Sequence, residues 1–409
     1  MATVVLVGTL DTKGLEYDYL RERLRRHGVE TILVDGGVLG YPLAEPDVTR
    51  DDVAAAAGAD AGVLAEARDR GAAVEAMARG AAEVARRLHA EGRLDCILAL
   101  GGSGGTALAT EAMRALPVGV PKVMVSTMAS GDTRPYVGAT DVTMMYSVVD
   151  IAGLNAVSAQ ILANAAAAAA GMATAEAPAR RDAKPLVGAT MFGVTTPCVT
   201  AARERLEELG YEVLVFHATG TGGQSMEALM RDGFITASLD VTTTELADDL
   251  VGGVLSAGPD RLEAAGELGL PQVVSLGALD MVNFGPLESV PAQFRDRLLY
   301  KHNPTVTLMR TTPEECAELG RRIAAKLNAA RGQVTLFVPL RGVSLIDTEG
   351  QVFWDPVADR ALFDALRENL DSAVDVREVD AEVNDPELAR AMADRLHEHY
   401  EVWATARTG

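Results

Sequence analysis

The sequence predicts an α/β protein of two Rossmann-like, doubly wound domains with mostly parallel sheets. Three observations support this fold class. Short runs of Val, Ile and Leu alternate with helical patterns along the 409 residues, glycine-rich or hydroxyl-rich loops follow the apolar runs, and the plan occurs twice. Alternating strands and helices are typical of parallel sheets with right-handed crossovers. We place one domain at residues 1–180 and the second at residues 181–409.

The first elements form a unit that is repeated. Residues 4–35 predict a strand, a short loop, a helix and a second strand. Residues 186–217 repeat this plan at a constant offset, and the sequence RERL at 21–24 returns at 203–206. A register without gaps is typical of an internal repeat.

The rest of the first domain follows the same alternation. Two Ala-rich helices, Val53–Ala57 and Leu64–His89, come after the second strand and carry no evident chemistry. A buried strand at 96–100 precedes a helix that begins near Thr106. A helical pattern from Ser147 fades into an alanine run and then into EAPARRDAKP, which predicts a linker and a boundary near residue 180.

Composition limits the classes of function. Lys and Arg number 37 against 58 Asp and Glu, a formal net charge of -21 that disfavours nucleic acids and anionic membrane surfaces. We find no leader pattern and no run that approaches a membrane span, so we expect a cytoplasmic protein. The three cysteines form no CxxC pair, which predicts buried thiols rather than disulfides or a thiolate zinc site.

A glycine cluster marks the first candidate site. The sequence LALGGSGGTA at 98–107 places four glycines and a serine between a predicted strand and a predicted helix. Free amide groups and the positive end of a helix dipole would meet there, which favours an anion, and phosphate is the first candidate. The cluster alone is a weak signal, because a sharp turn has the same composition.

Three further loops of the first domain follow predicted strands. They are GTLDTKG at 8–14, DGG at 35–37 and STMASGDTRPYVG at 126–138. Ligands of doubly wound sheets bind at the carboxyl ends of strands, so we expect these loops beside the glycine loop. Lys13 and Arg134 would neutralise charge, and Asp11 or Asp132 could hold a metal ion. Each loop alone could be a tight turn, whereas the four together favour a polyphosphate site.

Known fingerprints fit the first domain poorly. In GTLDTKG the lysine precedes the glycine and no Ser or Thr follows, so a P-loop is disfavoured. No GxGxxG follows the first strand, which disfavours classical NAD binding although Asp35 lies at a suitable distance for a ribose.

The loops of the second domain collect groups that could carry acid–base chemistry. They contain His217, Asp240, Glu245, Asp280, Asn283, Lys301, His302, Asn303 and Arg310, together with GTGG as a second anion nest. Histidine and carboxylate could act as acid and base or bind a divalent metal, and the spacing does not identify a metal.

The catalytic candidates of the second domain are a smaller set. They are His217, Asp240, Asp280, Lys301 and His302. Because His217, Asp240, Asp280 and His302 each follow a predicted strand of a parallel sheet, we expect these four to converge on one pocket facing the glycine loop. Structural roles are the alternative: Asp240 could cap a helix, and Asp280 could bond a loop amide.

Several long motifs carry a family resemblance. They include GTLDTKGLEYDYLR, GGSGGT, STMASGDTRPYVGATDVTMMYSVVDIAGLN, FHATGTGGQSMEAL, SLDVTTTELAD, SLGALDMVNFGP and HNPTVTLMRTT. Together they resemble the ATP-binding domain family of the tomato mosaic virus resistance protein, an inhibitor of viral RNA replication, over nearly the whole chain. The plant members carry an additional C-terminal TIM-barrel domain, and we expect a stand-alone form without it.

The resemblance implies two Rossmann-like domains, a homodimer, and ATP in the N-terminal domain, and we expect Mg²⁺ as a second cofactor. The positions that would bind the nucleotide are Thr9, Asp11, Thr12, Lys13, Gly14, Gly101, Gly102, Ser103, Gly104, Gly105, Thr106, Thr127, Gly131 and Asp132. One hypothesis is an ATP-utilising enzyme that transfers a phosphoryl or adenylyl group to a small anionic metabolite in an inter-domain cleft. The alternative is a non-catalytic, nucleotide-sensing module that docks on a separately encoded TIM-barrel enzyme or another protein.

Overall fold

A computed structural model describes residues 1–176 and 184–408 of the chain. The chain divides into two units, residues 1–179 and 180–409, and each is built around a parallel sheet. The predicted fold class is therefore confirmed. The boundary expected near residue 180 lies outside the described residues.

The first unit contains a five-stranded parallel sheet. Its strands are β1 (Thr3–Gly8), β2 (Glu30–Asp35), β3 (Cys96–Gly101), β4 (Lys122–Ser126) and β5 (Val142–Tyr146). They lie in the order β2-β1-β3-β4-β5, and β1 and β3 are buried along their whole length because they are almost entirely apolar. The chain leaves β1 to one side for β2 and returns on the other side for β3. The topological switch point therefore lies between β1 and β3.

Seven helices surround this sheet within the described part of the unit. They are α1 (Leu10–Arg26), α2 (Arg50–Ala56), α3 (Ala61–Ala67), α4 (Arg70–Ala90), α5 (Ser103–Arg114), α6 (Arg134–Val137) and α7 (Ala156–Ala173). Three of them, α2 to α4, lie between β2 and β3, where the sequence predicted two. The extra break falls at Arg68, whose φ of 54° ends α3 in the left-handed conformation.

Helix α7 contradicts the expectation that no segment approaches a membrane span. By length and composition alone it is apolar enough to cross a membrane, and a third of it is buried within the structure. The buried side carries Leu162, Ala165 and Ala169, which pack in the core of the first unit. This packing accounts for its apolar face as part of a folded core.

The second unit has a six-stranded parallel sheet. Its strands are β6 (Leu186–Met191), β7 (Glu212–His217), β8 (Ile235–Thr242), β9 (Gln272–Gly277), β13 (Val334–Pro339) and β14 (Asp375–Val379), and they lie in the order β14-β13-β9-β8-β6-β7. Counted from β6, this is the order of the first unit extended by one strand. The switch point of the second sheet accordingly lies between β6 and β8.

A small antiparallel sheet accompanies it, and the sequence analysis missed this sheet. Its strands are β10 (Met281–Phe284), β11 (Leu299–Asn303) and β12 (Val306–Arg310), in the order β10-β12-β11. The segments that contain Asp280, Asn283, Lys301, His302 and Arg310 were predicted as loops of the second domain. The β11–β12 connection is a tight turn in which the Asn303 side chain accepts hydrogen bonds from the backbone and hydroxyl of Thr305.

The helices of the second unit cover both faces of the parallel sheet. They are α8 (Thr196–Glu208), α9 (Thr221–Arg231), α10 (Thr244–Val251), α11 (Ala264–Glu267), α12 (Pro313–Asn328), α13 (Pro356–Asn369) and α14 (Pro386–Thr408). Helices α12 and α13 pack in one apolar cluster with β9 and β13, and α8 and α14 pack in another with β6 and β8.

Candidate functional site

A cavity of about 480 Å³ opens at the carboxyl ends of the strands of the first unit. Its walls are the first turn of α1, the loop after β2, the junction of α3 and α4, and the glycine loop after β3, with Asp150 at one side. This position is the switch point of the sheet, where doubly wound folds bind ligands.

The glycine loop presents the N-terminus of α5 to this cavity. The N-cap residue is Gly102, which has no side chain with which to cap the helix. The first amide groups of a helix have no partner within the helix, so the amides from Ser103 to Gly105 form a positive surface at the cavity wall.

The glycines of this loop differ in whether the packing of the protein requires them. A Cβ at Gly101 would lie 2.9 Å from the Cα of Gly105, so close packing of strand and helix requires Gly101. A Cβ at Gly102 would lie 3.8 Å from its nearest neighbour and one at Gly104 would lie 3.7 Å away, which are ordinary contact distances. Neither Gly102 nor Gly104 has a positive φ. Packing therefore does not explain these two glycines, whereas a ligand pressed against the amides would.

The predicted loop at 8–14 is mostly the first turn of α1, which begins at Leu10. The hydroxyls of Thr9 and Thr12 lie 2.9 Å apart at the cavity wall. Lys13 also lines the cavity, and its ammonium group donates to the carbonyl oxygen of Ile151. These three side chains lie where the sequence analysis expected a nucleotide.

Gly14 has a packing role instead. A Cβ at this position would lie 2.7 Å from the Cβ of Leu43 and 2.8 Å from the backbone nitrogen of Ala44. Gly14 is buried and does not line the cavity. The contact between α1 and residues 43–44 therefore explains this glycine.

Two aspartates hold the loop after β2. One carboxylate oxygen of Asp11 accepts hydrogen bonds from the amides of Leu39 and Gly40 at 2.9 and 3.3 Å. The other oxygen is buried and has no hydrogen-bond partner among the described residues. Asp11 therefore fixes the loop at the cavity wall with one carboxylate oxygen, and its other oxygen has no hydrogen-bond partner among the described residues.

The contacts of the Asp35 side chain give it a structural role. It is fully buried, accepts from the amides of Leu10 and Gly37 at 3.1 and 2.8 Å, and pairs with Arg50 at 2.9 Å. The carboxylate thus stabilises the N-terminus of α1. These contacts account for Asp35 without a ribose.

The remaining predicted nucleotide residues lie outside the cavity wall. Thr106 is buried, and its hydroxyl lies 2.7 Å from both the Gly102 carbonyl and the Ser126 hydroxyl. Thr127 lies next to the glycine loop and donates its amide to Gly101.

Gly131 and Asp132 are exposed. The Asp132 carboxylate pairs with Arg134 at 2.7 Å, and these hydrogen bonds lower its pKa to about 2. The pair satisfies both charges at the surface, away from the residues that line the cavity.

Sequence analysis missed one wall of the cavity, the junction of α3 and α4. Arg68, Asp69 and Arg70 line it, together with apolar side chains of both helices. The available signal was the sequence EARDRG, in which two arginines flank an aspartate between Ala-rich helices. This segment is distant in sequence from the loop that follows β3, so its position beside that loop gives no local sequence signal.

The second predicted anion nest is filled by the protein itself. One carboxylate oxygen of Glu245 accepts from the amides of Gly220 and Gly223 at 2.7 and 3.0 Å. A Cβ at Gly223 would lie 2.2 Å from the other oxygen of Glu245. The N-terminus of α9 is therefore neutralised internally.

Asp240 belongs to a buried ion cluster around Arg261. The guanidinium donates to both oxygens of Asp240 at 2.5 and 2.7 Å and to Glu245 at 2.6 Å, with Glu227 at 3.4 Å. Thr190 donates a further hydrogen bond to Asp240 at 2.6 Å. A buried charge needs such pairing, so these contacts give Asp240 a structural role.

Asp280 lies in a separate cluster with Arg310. It accepts from the Ser344 hydroxyl at 2.8 Å, while Arg310 donates to Asp347 and Asp359 at 3.1 and 2.6 Å. Burial raises the pKa of all three carboxyls above the ordinary range of aspartate, and Arg310 opposes the rise. The structure thus assigns the two predicted catalytic aspartates to different arginine clusters.

The other catalytic candidates are exposed. His217 is the last residue of β7. Its ring packs edge to face against Phe192, with 5.4 Å between the ring centroids. Lys301 and His302 lie within β11 of the antiparallel sheet, so the prediction that His302 follows a parallel strand is wrong. Within residues 1–176 and 184–408, no group of three or more His, Cys, Asp or Glu residues is placed to hold a metal ion.

Fold and site together define a Rossmann-like α/β protein with an open, glycine-lined cavity at its first switch point. Residues 2–178 match the N-terminal domain of the uncharacterised protein family UPF0261, and residues 184–400 match its C-terminal domain. The chain belongs to this family. It is 54% identical over 394 residues to a UPF0261 protein of Clostridium tetani (strain Massachusetts / E88), covering 96% of this chain and 98% of that relative.

The family includes a plant relative. The ToMV resistance protein Tm-1(GCR237) of Solanum lycopersicum is 47% identical over 315 residues, which cover 75% of this chain and 42% of the plant protein. Among solved structures, a UDP-N-acetylglucosamine 2-epimerase from Rickettsia bellii is similar with 12% identity and a TM-score of 0.24, covering 67% of this chain and 78% of that chain.

Proposed function

We propose that this chain binds Mg²⁺-ATP in the cavity of the first unit and uses it to act on a small anionic metabolite. The observation that carries the proposal is the pair Gly102 and Gly104 at the N-terminus of α5, where the packing of the protein does not require glycine. Bare amides at a helix N-terminus bind phosphate oxygens. The comparable nest at α9 contains Glu245 and is closed to a ligand.

The rest of the cavity suits a nucleoside. Val38, Leu39, Leu64, Ala73 and Val74 supply an apolar wall on which a base could lie. The volume falls in the range of about 300–1,000 Å³ that is typical of small-molecule sites. The family resemblance, which implies ATP, supports adenine as the base.

The residues at the cavity wall also fit a magnesium ion. Mg²⁺ is usually held by one or two carboxylates, phosphate oxygens and water, so a dedicated cage of side chains is unnecessary. Asp11 offers a carboxylate oxygen without a hydrogen-bond partner among the described residues, and Asp150 lies on the same wall. When bound, the ion would neutralise phosphate charge.

In this proposal the chain acts by positioning and by charge neutralisation. The amides of Gly104 and Gly105 hold phosphate oxygens, and the Lys13 ammonium neutralises a second group. Phosphoryl transfer draws most of its catalysis from these two effects. Lys13 would exchange its contact with the Ile151 carbonyl for a phosphate oxygen.

A nucleotide-sensing module without catalysis is the second candidate function. The engagement of Asp240 by the buried Arg261 favours it, because that carboxylate is then unavailable as acid or base. Such a module would dock on a separately encoded TIM-barrel enzyme or another protein. Steady ATP consumption in the presence of a metabolite pool would favour the enzyme, and saturable binding without turnover would favour the sensor.

The test of ATP binding is a thermal-shift measurement on the full chain with Mg²⁺-ATP. A ligand at about 100 times its Kd stabilises the folded state by about 2.7 kcal/mol, which raises the melting temperature by several degrees. Gly104→Val should abolish this rise, because its branched side chain would fill the space over the amides. Lys13→Met should weaken the effect less completely.

The matched control is Gly171→Val. Gly171 is an exposed glycine of α7, and no described heavy atom lies within 4 Å of a Cβ at that position. This variant should keep the full ATP-induced rise. An undiminished rise in Gly104→Val would contradict the glycine loop as the phosphate site.

A further inference from the structure

We propose that Arg70, assisted by Arg68, is a phosphate ligand of this cavity and makes it select a nucleoside triphosphate over a monophosphate. The inference rests on the proposed function, since it concerns which nucleotide the same cavity accepts. It adds the junction of α3 and α4 to the site as the element that recognises the outer phosphates.

The position of Arg70 is the first argument. It is the first residue of α4, and its Nη2 lies 3.7 Å from where a Cβ at Gly104 would be. The guanidinium therefore lies beside the bare glycine of α5, and both residues line the same cavity. Arg68 lines the same cavity.

Ion pairing distinguishes these two arginines from Arg79 and Arg86 of α4. In the part of the chain that the structure describes, neither Arg68 nor Arg70 forms an ion pair, whereas Arg79 and Arg86 on α4 pair with Glu75 and Glu83. Unpaired guanidinium groups at a cavity of a strongly acidic chain attract an anion.

Among the described residues, Asp69 forms no ion pair with Arg68 or Arg70. Its side chain accepts from the amide of Ala72 at 3.0 Å and serves as the N-cap of α4. The carboxylate is thereby directed to its own helix. Arg68 and Arg70 keep their donors for a ligand.

The backbone of Arg68 is the third argument. Its φ of 54° lies in the left-handed region, which glycine adopts freely and other residues adopt at a cost. Strained backbone of this kind concentrates at functional sites. This left-handed residue ends α3, so that α4 begins two residues later with Arg70 at the cavity wall.

These observations predict that the α5 wall and the α3–α4 wall bind different phosphate groups of the nucleotide. The amides of α5 would hold one phosphate, and the planar donors of Arg70 and Arg68 would hold oxygens further along the chain of phosphates. A monophosphate offers one phosphate group to these donors and ATP offers three, so the monophosphate should bind more weakly than ATP and should depend less on the arginines.

The experiment measures by calorimetry the Kd values of the full chain for Mg²⁺-ATP, AMP and inorganic triphosphate. Arg70→Gln should weaken ATP and triphosphate binding by roughly 10- to 100-fold and leave AMP within about twofold, since a charged hydrogen bond is lost only with the longer ligands. Arg68→Gln should have a smaller effect in the same direction. Arg79→Gln, an exposed change on the same helix, should behave as the unmodified protein.

The outcomes separate this inference from the proposed function. If the unmodified chain binds ATP and Arg70→Gln binds it equally well, the arginine assignment is overturned while ATP binding stands. If Arg70→Gln weakens AMP as strongly as ATP, the selection for triphosphate is overturned. If the unmodified chain binds neither ATP nor triphosphate, both proposals fail.

Discussion

The carboxylate of Asp347 lies in a buried cluster that holds more acids than bases. Arg310 pairs with Asp347 and Asp359, while Asp280 adds a third carboxylate nearby. Burial, reinforced by the charge of Asp280, raises the pKa of Asp347 to about 9. The cluster in the folded protein therefore keeps a proton over a pH range in which the unfolded chain has released it.

This proton makes stability depend on pH. Its contribution is complete below the ordinary pKa of aspartate and is lost as the pH rises through about 9. Asp347→Asn keeps a neutral group in place, so its free energy of unfolding should fall less between pH 5 and pH 9 than that of the unmodified protein. Chemical denaturation at the two pH values measures the difference. Equal falls in the two proteins would contradict the assignment, and the exposed Asp380→Asn serves as the control.

At the residue scale, the sequence predicted which residues lie at the cavity wall better than it predicted the partners of buried charges. Lys13 and Gly104 were identified because strand-end position and residue type are local signals. The partner of Asp240 is Arg261, which comes from another segment and gives no local signal. The roles of Asp240 and Asp280 could therefore not be separated from catalysis without the fold.

At the scale of elements, two helix N-termini with similar sequences differ in what lies against their free amides. Both α5 and α9 begin in glycine-rich turns without a capping side chain on the N-cap residue. The turn at α9 is neutralised by Glu245 of α10, and the turn at α5 faces a cavity. Composition predicts an anion site at both, and only the arrangement of neighbouring elements decides whether the anion is internal.

Glu245 links α9 to the Arg261 cluster, so its removal should be costly. Glu245→Ala leaves a buried guanidinium short of one partner and two amides of the α9 turn without an acceptor. Breaking a buried ion pair in this way costs about 3–5 kcal/mol. Urea denaturation should show this loss in the free energy of unfolding.

The control for this change is Glu75→Ala, which removes an exposed partner of Arg79. An exposed pair contributes about 0–1 kcal/mol, so the control should be nearly neutral. A loss below about 1 kcal/mol in Glu245→Ala would contradict the structural role of the cluster.

The elements that sequence analysis missed share a physical cause. The β11–β12 hairpin has short strands and a turn set by Asn303, so its period-two pattern spans few residues. The α3–α4 junction is short and polar between Ala-rich helices. In addition, β12 pairs with β10, and α4 packs in one apolar cluster with α5, and these contacts join segments that are distant in sequence.

At the scale of the whole molecule, the internal repeat made the fold predictable. The repeat of residues 4–35 at 186–217 implied two sheets of the same plan, and both sheets place their first two strands and the third in the same order. The sequence also located the glycine loop at the edge where the cavity lies. The volume of that cavity and its arginine wall depend on packing and were not accessible.

A homodimer in solution remains a prediction, motivated by the family resemblance and by the apolar stretch at 142–168. The side chains of Tyr146, Val148, Leu154 and Val157 in this stretch are about half exposed, which leaves apolar surface for a second copy. Light scattering at micromolar concentration should give twice the mass of the chain. Replacing Leu154 and Val157 together by Glu should give a monomer, whereas Leu298→Glu in the second unit should not. A monomeric mass for the unmodified protein would contradict the prediction.

The central claim is that the open cavity of the first unit is a nucleotide site. Its most direct test is a crystal structure of the full chain grown with Mg²⁺ and a non-hydrolysable ATP analogue at saturating concentration. The account predicts electron density for the triphosphate within hydrogen-bond distance of the amides of Gly104 and Gly105, with Arg70 against the outer phosphates. An empty cavity under these conditions, or an analogue bound at another place, would contradict it.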